Sequence, residues 1–269
     1  MKQANPADIA ANSSRGVDRI PRPPAAVTFD CWSTLVSDID WQATMVHRQK
    51  ALVDIAARKQ VRLDMEKAAE LIESSWQEHV SAWRKGHPFG APGAARWLLG
   101  RLDPRADPAE PIDDELAGDL AEAIEGATSE VGTRVVEGAG EAVAAVRAAG
   151  IPTALVCDTG FTPGRHVRQF LDEHHIELDH YFFSDEIGMP KPFPPIFRAA
   201  LEATEAAPGQ AVHIGDLRRT DIAGAHRAGM AAIRFAGVHD DSWSPEDSSG
   251  AEADAVLHRW ADLVPLLGI

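Results

Sequence analysis

Five side chains in this sequence are of types that do chemistry, and each follows an apolar run or sits in a constrained loop. Asp30 closes Ala25-Ala26-Val27-Thr28-Phe29, and Trp32 stands two places after it. Lys191 lies in Gly-Met-Pro-Lys-Pro, residues 188 to 192, and Asp216 and Asp221 fall in HIGDLRRTD, residues 213 to 221. A carboxylate at a strand end can act as a nucleophile and carry a covalent intermediate. Asp30 is that candidate. Its alternative role, a helix N-cap or turn residue, is weak because no clear helix begins after it. Two like charges at about 4 Å cost about 4 kcal/mol at an effective dielectric of 20. If Asp216 and Asp221 lie close to Asp30, one lysine cannot offset the cluster, whereas a divalent cation can. Oxygen ligands favour Mg²⁺. Asp216 has an alternative as N-cap of a helix near Thr220, and acidic residues such as Asp221 belong in a first helical turn in any case. Lys191 competes with the ordinary solvated lysine, but its flanking prolines restrict the backbone.

The elements that must position these groups follow from periodicity. From about Asp40 to Ala82 the composition is helical, with Leu52, Ile55 and Ala56, then Ala68, Leu71, Ile72 and Ser75, at helical spacing. Gly86, Pro88, Gly90, Pro92 and Gly93 interrupt it. A second helical stretch covers Asp114 to Ser129, and residues 40 to 135 contain no strand pattern. From Gly138 onward helices and strands alternate. Strands are expected at Thr153–Cys157, Tyr181–Ser184, Ala211–Ile214 and Ala231–Phe235. Helices are expected at Glu141–Ala149, with a left-handed cap at Gly150, and around Arg165–His174, Ile196–Ala203 and Thr220–Ala228. The strands are continuous apolar runs, as in parallel sheets buried on both faces. The fold class is therefore α/β: a doubly wound parallel sheet with an inserted all-helical segment. Ligands of such sheets bind beyond the carboxyl ends of the strands. That is where Asp30, Cys157 with Asp158 and Thr159, Ser184-Asp185 and Asp216 fall.

Bulk properties narrow the function classes. The chain has 269 residues, 45% hydrophobic and 25% charged, with 26 basic against 41 acidic residues and a net charge of -15. That balance repels phosphate backbones, so no nucleic-acid partner is expected. No apolar run approaches a membrane span, and the N-terminus lacks an apolar signal core. The two cysteines, Cys31 and Cys157, do not make a disulfide scaffold; reduced thiols and a cytoplasmic location are expected. Residues 1 to 24 read as a polar tail.

Four pieces in order, FDCWSTL around Asp30, LVCDTG at 155 to 160, GMPKPFPPIF at 188 to 197 and HIGDLRRTD, resemble the motifs of the haloacid dehalogenase superfamily of hydrolases. The resemblance covers residues 25 to 265, and the helical insertion resembles that family's helical cap. It implies a core of residues 25–38 and 137–269, a cap of 39–136, and a small-molecule substrate. It implies a magnesium ion held by Asp30, the backbone carbonyl of Trp32 and Asp216, with Asp221 nearby. Lys191 would steady the nucleophile and the anionic transition state. Cys157, Asp158, Thr159 and Lys191 would form the phosphate site. Cys157 stands where most relatives place Ser or Thr, so phosphate binding shifts toward Thr159 or backbone N–H groups. Because the two cysteines flank this site, thiol alkylation is expected to impair activity if either is accessible.

Trp32 departs from the family's phosphatases, many of which have a second Asp there as acid and base. Dehalogenases of the family carry an aromatic residue at this position and displace halide, which needs no proton. Packing against the cap is an equal alternative for Trp32. The retained Gly-Asp of the fourth motif, with Asp221, points instead to metal-assisted phosphoryl transfer. The reading is a Mg²⁺-dependent phosphohydrolase with an atypical acid/base arrangement. In that reading the leaving group is good, or a cap histidine (His47, His79 or His87) supplies the proton. The alternatives are a 2-haloacid dehalogenase-like hydrolase working through Asp30 and Lys191, and a catalytically weak binding module that kept the fold.

Overall fold

A computed structural model describes residues 18–102, 111–240 and 252–269. Residues 1–17 of the expected tail and residues 241–251, with most of the acidic stretch around Asp241 and Glu246-Asp247, lie outside them. Strand β1 (Ala26–Phe29) is fully buried at all four residues. It is central in a parallel six-stranded sheet of order β5-β4-β1-β6-β7-β8. The others are β4 (Thr153–Cys157), β5 (His180–Phe183), β6 (Ala211–Gly215), β7 (Ala231–Phe235) and β8 (Ala255–Leu257). β1 pairs with β4 through Phe29↔Leu155 and with β6 through Phe29↔Ile214. Chain order reverses across β1, which leaves a crevice at its carboxyl end between the strands that carry Asp30, Asp158 and Asp216.

Helices cover both faces. α5 (Ala139–Ala148), α6 (Gly164–Glu173) and α10 (Leu263–Leu267) pack on one side with Phe29, Leu155 and Ile214. The short α7 (Ser184–Ile187), then α8 (Pro194–Ala203) and α9 (Ala223–Arg227), lie on the other with Ala26, Val156 and Ala232. Gly150 takes the expected left-handed conformation at φ 74°. The strand and helix expectations of the core hold within a few residues. β8 carried only three residues of pattern and was not anticipated.

Four helices form a second layer with its own core: α1 (Trp41–Arg58), α2 (Met65–Arg84), α3 (Gly90–Leu102) and α4 (Asp114–Val131). Leu52, Ile72, Leu98, Leu120 and Ile124 meet in it with no exposure. Asp40, Asp64 and Asp113 cap α1, α2 and α4 by accepting from backbone N–H groups at 2.8–3.1 Å, each cap being worth about 1 kcal/mol. Two expectations need correction. Gly90, Pro92 and Gly93 were read as an interruption, yet they form the first turn of α3. Proline is tolerated there because first-turn N–H groups have no intrahelical acceptor. Its buried face is spaced Ala91, Ala94, Ala95, Leu98, Leu102. Second, residues 40 to 135 do contain a strand. β3 (Thr133–Val135) pairs antiparallel with β2 (Val36–Asp38), joining the helical layer to the core through a two-stranded neck. Three residues are too few to show a period of two. Among the described residues no helix is long and apolar enough to cross a membrane.

Candidate active site

Asp30 follows β1 directly. Its backbone N–H donates to the Ile214 carbonyl at 2.8 Å, continuing the sheet, and its side chain enters the crevice. The chain then turns on the Cys31 carbonyl, which accepts from the N–H groups of Thr34, Leu35 and Val36. Ser33 takes φ +59° in this turn. The turn brings the Thr34 hydroxyl back to donate to Asp30 Oδ2 at 3.1 Å. Asp216 follows β6 directly, and Asp221 arrives on a single turn of π-helix, Arg218–Ile222. Asp30, Asp216 and Asp221 each place a carboxylate oxygen within 4.8 Å of the others, and all three are buried. Gly215 makes this approach possible: a Cβ there would lie 2.3 Å from Asp221 Cγ.

Lys191 enters from the loop before α8. Its Nζ donates to Asp30 Oδ1 at 2.5 Å and to Asp221 Oδ1 at 2.6 Å, and the residue is 2% exposed. Its backbone N–H donates to Asp158 Oδ1 at 2.8 Å. Asp221 also accepts from the Leu217 N–H at 3.0 Å and meets His213 Nε2 at 3.1 Å. An ionised carboxylate only accepts, so Nε2 donates to it, and Nδ1 lies 2.8 Å from the Thr28 hydroxyl. His213 was missed by sequence reasoning. A lone polar residue inside the apolar run Ala211–Gly215 was the available signal.

The electrostatics are those of crowded carboxylates. Burial raises Asp30 above the usual carboxylate range against the pull of Lys191. Burial, then Asp30 and Asp221, push Asp216 well above it. Burial also acts to raise Asp221, but Lys191 and His213 outweigh it and hold that carboxyl well below the range. Burial opposes the charge on Lys191, yet Asp221 and Asp30 prevail and hold the ammonium well above its ordinary value. Three buried carboxylates share one ammonium, and all their donors are hard oxygens. This set fits a small divalent cation such as Mg²⁺.

Above this floor lies a cavity of about 490 Å³ between sheet and helical layer. Its roof is aromatic: Trp41 on α1, Trp76 and Trp83 on α2, and Phe161 after β4. Trp76 meets Trp41 and Phe161 edge-on at 5.5 and 5.1 Å. Arg48 is buried between Trp41 and Phe161, with ring centroids 5.4 and 5.2 Å away, and donates to the Ile124 carbonyl. Burial lowers its pKa to about 10, which leaves it charged. Trp83 Nε1 donates to Asp158 Oδ2 at 3.0 Å, and Arg219 stacks on its ring at 3.9 Å. Burial drives Asp158 up to about 7, against Lys191.

Of the four residues expected to bind phosphate, Lys191 presents its ammonium to the cavity and Thr159 lines it. Thr159 donates to Asp185 Oδ1 at 3.1 Å. Asp158 lines it too, but both its oxygens accept from protein donors, so it positions Lys191 and Trp83. Cys157 does not reach the cavity. It is fully buried, and its Sγ–H donates to the Asp158 carbonyl at 3.4 Å. Cys31 is equally buried, so neither thiol is open to alkylation in the folded protein. Trp32 lines the cavity floor beside Asp30. It packs edge-on against Phe170 of α6 at 6.2 Å, a contact on the core side. Of the three candidate histidines only His79 lines the cavity.

With this arrangement in view, the comparisons with known proteins are decisive for the family. The sequence model of haloacid dehalogenase-like hydrolases matches residues 24–229. The chain belongs to this family. It is 33% identical over 106 residues to a glyceraldehyde 3-phosphate phosphatase of Pyrococcus furiosus, covering 38% of this chain and 42% of that one. It is 29% identical over 171 residues to haloacid dehalogenase-like hydrolase domain-containing protein 3 of Mus musculus, covering 62% of each. These matches span less than two thirds of either relative. Among solved structures, a 2-haloacid dehalogenase from Pseudomonas syringae superposes with a TM-score of 0.62 at 22% identity, over 90% of this chain and 97% of that one. That likeness concerns the fold alone.

Proposed function

We propose that this hydrolase is a Mg²⁺-dependent phosphohydrolase acting on a small phosphorylated metabolite through Asp30. The observation that carries the reading is the buried group of Asp30, Asp216 and Asp221, with Lys191 at 2.5 Å from Asp30. Relatives named as phosphatases support it. Phosphoryl transfer needs positive charge where negative charge develops, and a cation held by this carboxylate trio beside the Lys191 ammonium would supply it.

In this reading Asp30, Asp216 and the Trp32 carbonyl would hold the cation, which would supply positive charge to offset the phosphoryl oxygens. Asp221 fixes the Lys191 ammonium through Oδ1. Lys191 orients Asp30 and takes up negative charge on the transferring group. An Asp30 oxygen attacks phosphorus, the bond to the leaving oxygen breaks, and an aspartyl phosphate forms. Water then attacks that phosphorus and restores Asp30. In this reading Thr159, which lines the cavity, would contact the phosphate, and Trp32 would lie against the leaving group.

Turnover of p-nitrophenyl phosphate and acetyl phosphate, with Mg²⁺ and with EDTA, tests this for wild type and Asp30→Asn. Metal-dependent phosphate release lost in the variant is the expected result. One observation favours a second reading: Trp32 faces the cavity where a proton donor would be needed for poor leaving groups. Metal-independent halide release from 2-haloacids would establish that reading in place of the first. Ligand binding without either turnover would leave a binding module.

A further inference from the structure

The cavity is walled by aromatic rings, and the position beside Asp30 that faces a leaving group holds an indole, which has no proton to transfer. Apart from the floor group, the titratable groups of the lining are Asp38, Asp158, His79, His239, Arg48 and Arg134. Asp158, which burial raises to about 7, has both oxygens engaged, Oδ1 by the Lys191 N–H at 2.8 Å and Oδ2 by Trp83 Nε1 at 3.0 Å. Asp38 lies beside the buried Arg48 cation. His79 packs among Trp76, Phe89 and Phe161 with ring centroids 5.1–6.2 Å away. Burial lowers His79 to about 4, so it is neutral at ordinary pH and holds no acidic proton to give. His239 stands exposed at the rim. A leaving group that gains no proton here departs as an anion, and only an intrinsically stable anion departs quickly. Edge-on Trp41, Trp76 and Phe161 offer the apolar, planar contacts that a ring takes up.

We propose that the substrate is an aryl phosphate monoester whose ring sits under the aromatic roof and leaves unprotonated as an aryloxide. The inference rests on the phosphohydrolase reading and adds the leaving-group class. The Asp30 oxygen forms the bond to phosphorus as the phosphorus–aryl oxygen bond breaks, and its electron pair departs on the aryl oxygen. Water then attacks the aspartyl phosphate. Asp30 leaves as carboxylate, and inorganic phosphate carries the added hydroxyl. The second proton of that water goes through solvent to the aryloxide, giving the phenol.

Three esters separate ring recognition from leaving-group chemistry. Phenyl phosphate has the ring and a good leaving group, benzyl phosphate the ring and a poor one, and propyl phosphate neither. With the full chain and Mg²⁺, the single-turnover rate of phosphoryl transfer from phenyl phosphate should exceed that from benzyl phosphate by at least ~10²-fold. The KM values of those two should be similar and lower than that of propyl phosphate. Trp32→Asp, which adds a carboxyl beside Asp30, should narrow the gap in transfer rate. Equal single-turnover rates of phosphoryl transfer from phenyl and benzyl phosphate would show a proton donor and overturn the proposal, with Asp158→Asn or His239→Ala identifying it if transfer from benzyl phosphate then falls. Calorimetric binding of benzylphosphonate and propylphosphonate to Asp30→Asn reads the roof without turnover. Tighter binding of the benzyl compound supports ring recognition. Equal binding overturns it even if phosphatase activity stands. Ring-selective binding with no hydrolysis of any ester would sink the phosphohydrolase reading and the departure step together.

Discussion

The floor and the roof of the cavity are built on opposite principles. The floor gathers charge: Asp30, Asp216, Asp221 and Lys191 are nearly inaccessible to water, and each has positions fixed by the strand ends and turns of a rigid sheet. The roof gathers surface: Trp41, Trp76, Trp83 and Phe161 come from a separate helical layer held by its own core. Loss of one floor group leaves an unpaired buried charge, which is costly and changes the chemistry. Loss of one roof group changes a contact area. A floor of this kind fixes the reaction, and a roof of this kind selects what reacts.

Variants sharpen that contrast. Lys191→Met should show the largest effect. It leaves Asp30 and Asp221 without their shared cation, so kcat should fall by about 10²–10³-fold. Thermal or denaturant unfolding should show a loss of about 3–5 kcal/mol. An unchanged kcat would remove Lys191 from the chemistry. Gly215→Ala adds a methyl where Asp221 Cγ lies 2.3 Å from the built Cβ. It should cost about 1–3 kcal/mol and lower kcat with it. Retained activity at wild-type stability would show that the Gly-Asp step is not what seats Asp221.

His79 supplies a pH signature from the roof. Its folded pKa of about 4 lies below the unfolded value of 6.5. Between these values the unfolded chain binds a proton that the folded protein refuses, so stability falls as pH drops from 6.5 toward 4. The window is worth on the order of 3 kcal/mol. His79→Gln should lose less stability than wild type over that range in urea titrations. Parallel curves would place the imidazole in contact with water. The smallest effect belongs to Trp83→Phe, which removes the hydrogen bond to Asp158 and part of the Arg219 stack. KM should rise by a few fold, in keeping with a net hydrogen bond of about 1 kcal/mol, while kcat holds. A fall in kcat alone would move Trp83 from the roof to the floor.

The same division explains what was legible in the sequence. Asp30, Asp158 and Asp216 each close a buried apolar run, and adjacent parallel strands bring such ends together. Strand β1 between β4 and β6 was therefore readable before any side chain was placed. Helical periodicity, by contrast, reports which face of a helix is buried and not what it is buried against. Trp76 and His79 share a face of α2 with Ile72, and nothing local distinguishes a cavity wall from a core. Arg48 was invisible for the same reason. Its burial depends on Trp41, Phe161 and the Ile124 carbonyl, all distant or unremarkable in sequence. Cys157 was placed at the site by its position after β4, but its side chain turns into the core and its neighbours Asp158 and Thr159 face the cavity instead. The neck strand β3 and the first turn of α3 were missed because three residues carry no period and because Pro92 breaks a helix only beyond its first turn.

The central claim is that Asp30 accepts the phosphoryl group. Its most direct test is borohydride trapping during turnover of phenyl phosphate with Mg²⁺, followed by mass spectrometry of the peptide that carries Asp30. Reduction of an aspartyl phosphate converts that residue to homoserine. Modification at position 30, dependent on substrate and metal and missing after EDTA, is the predicted result. Modification at another carboxylate while phosphate release proceeds would contradict the account.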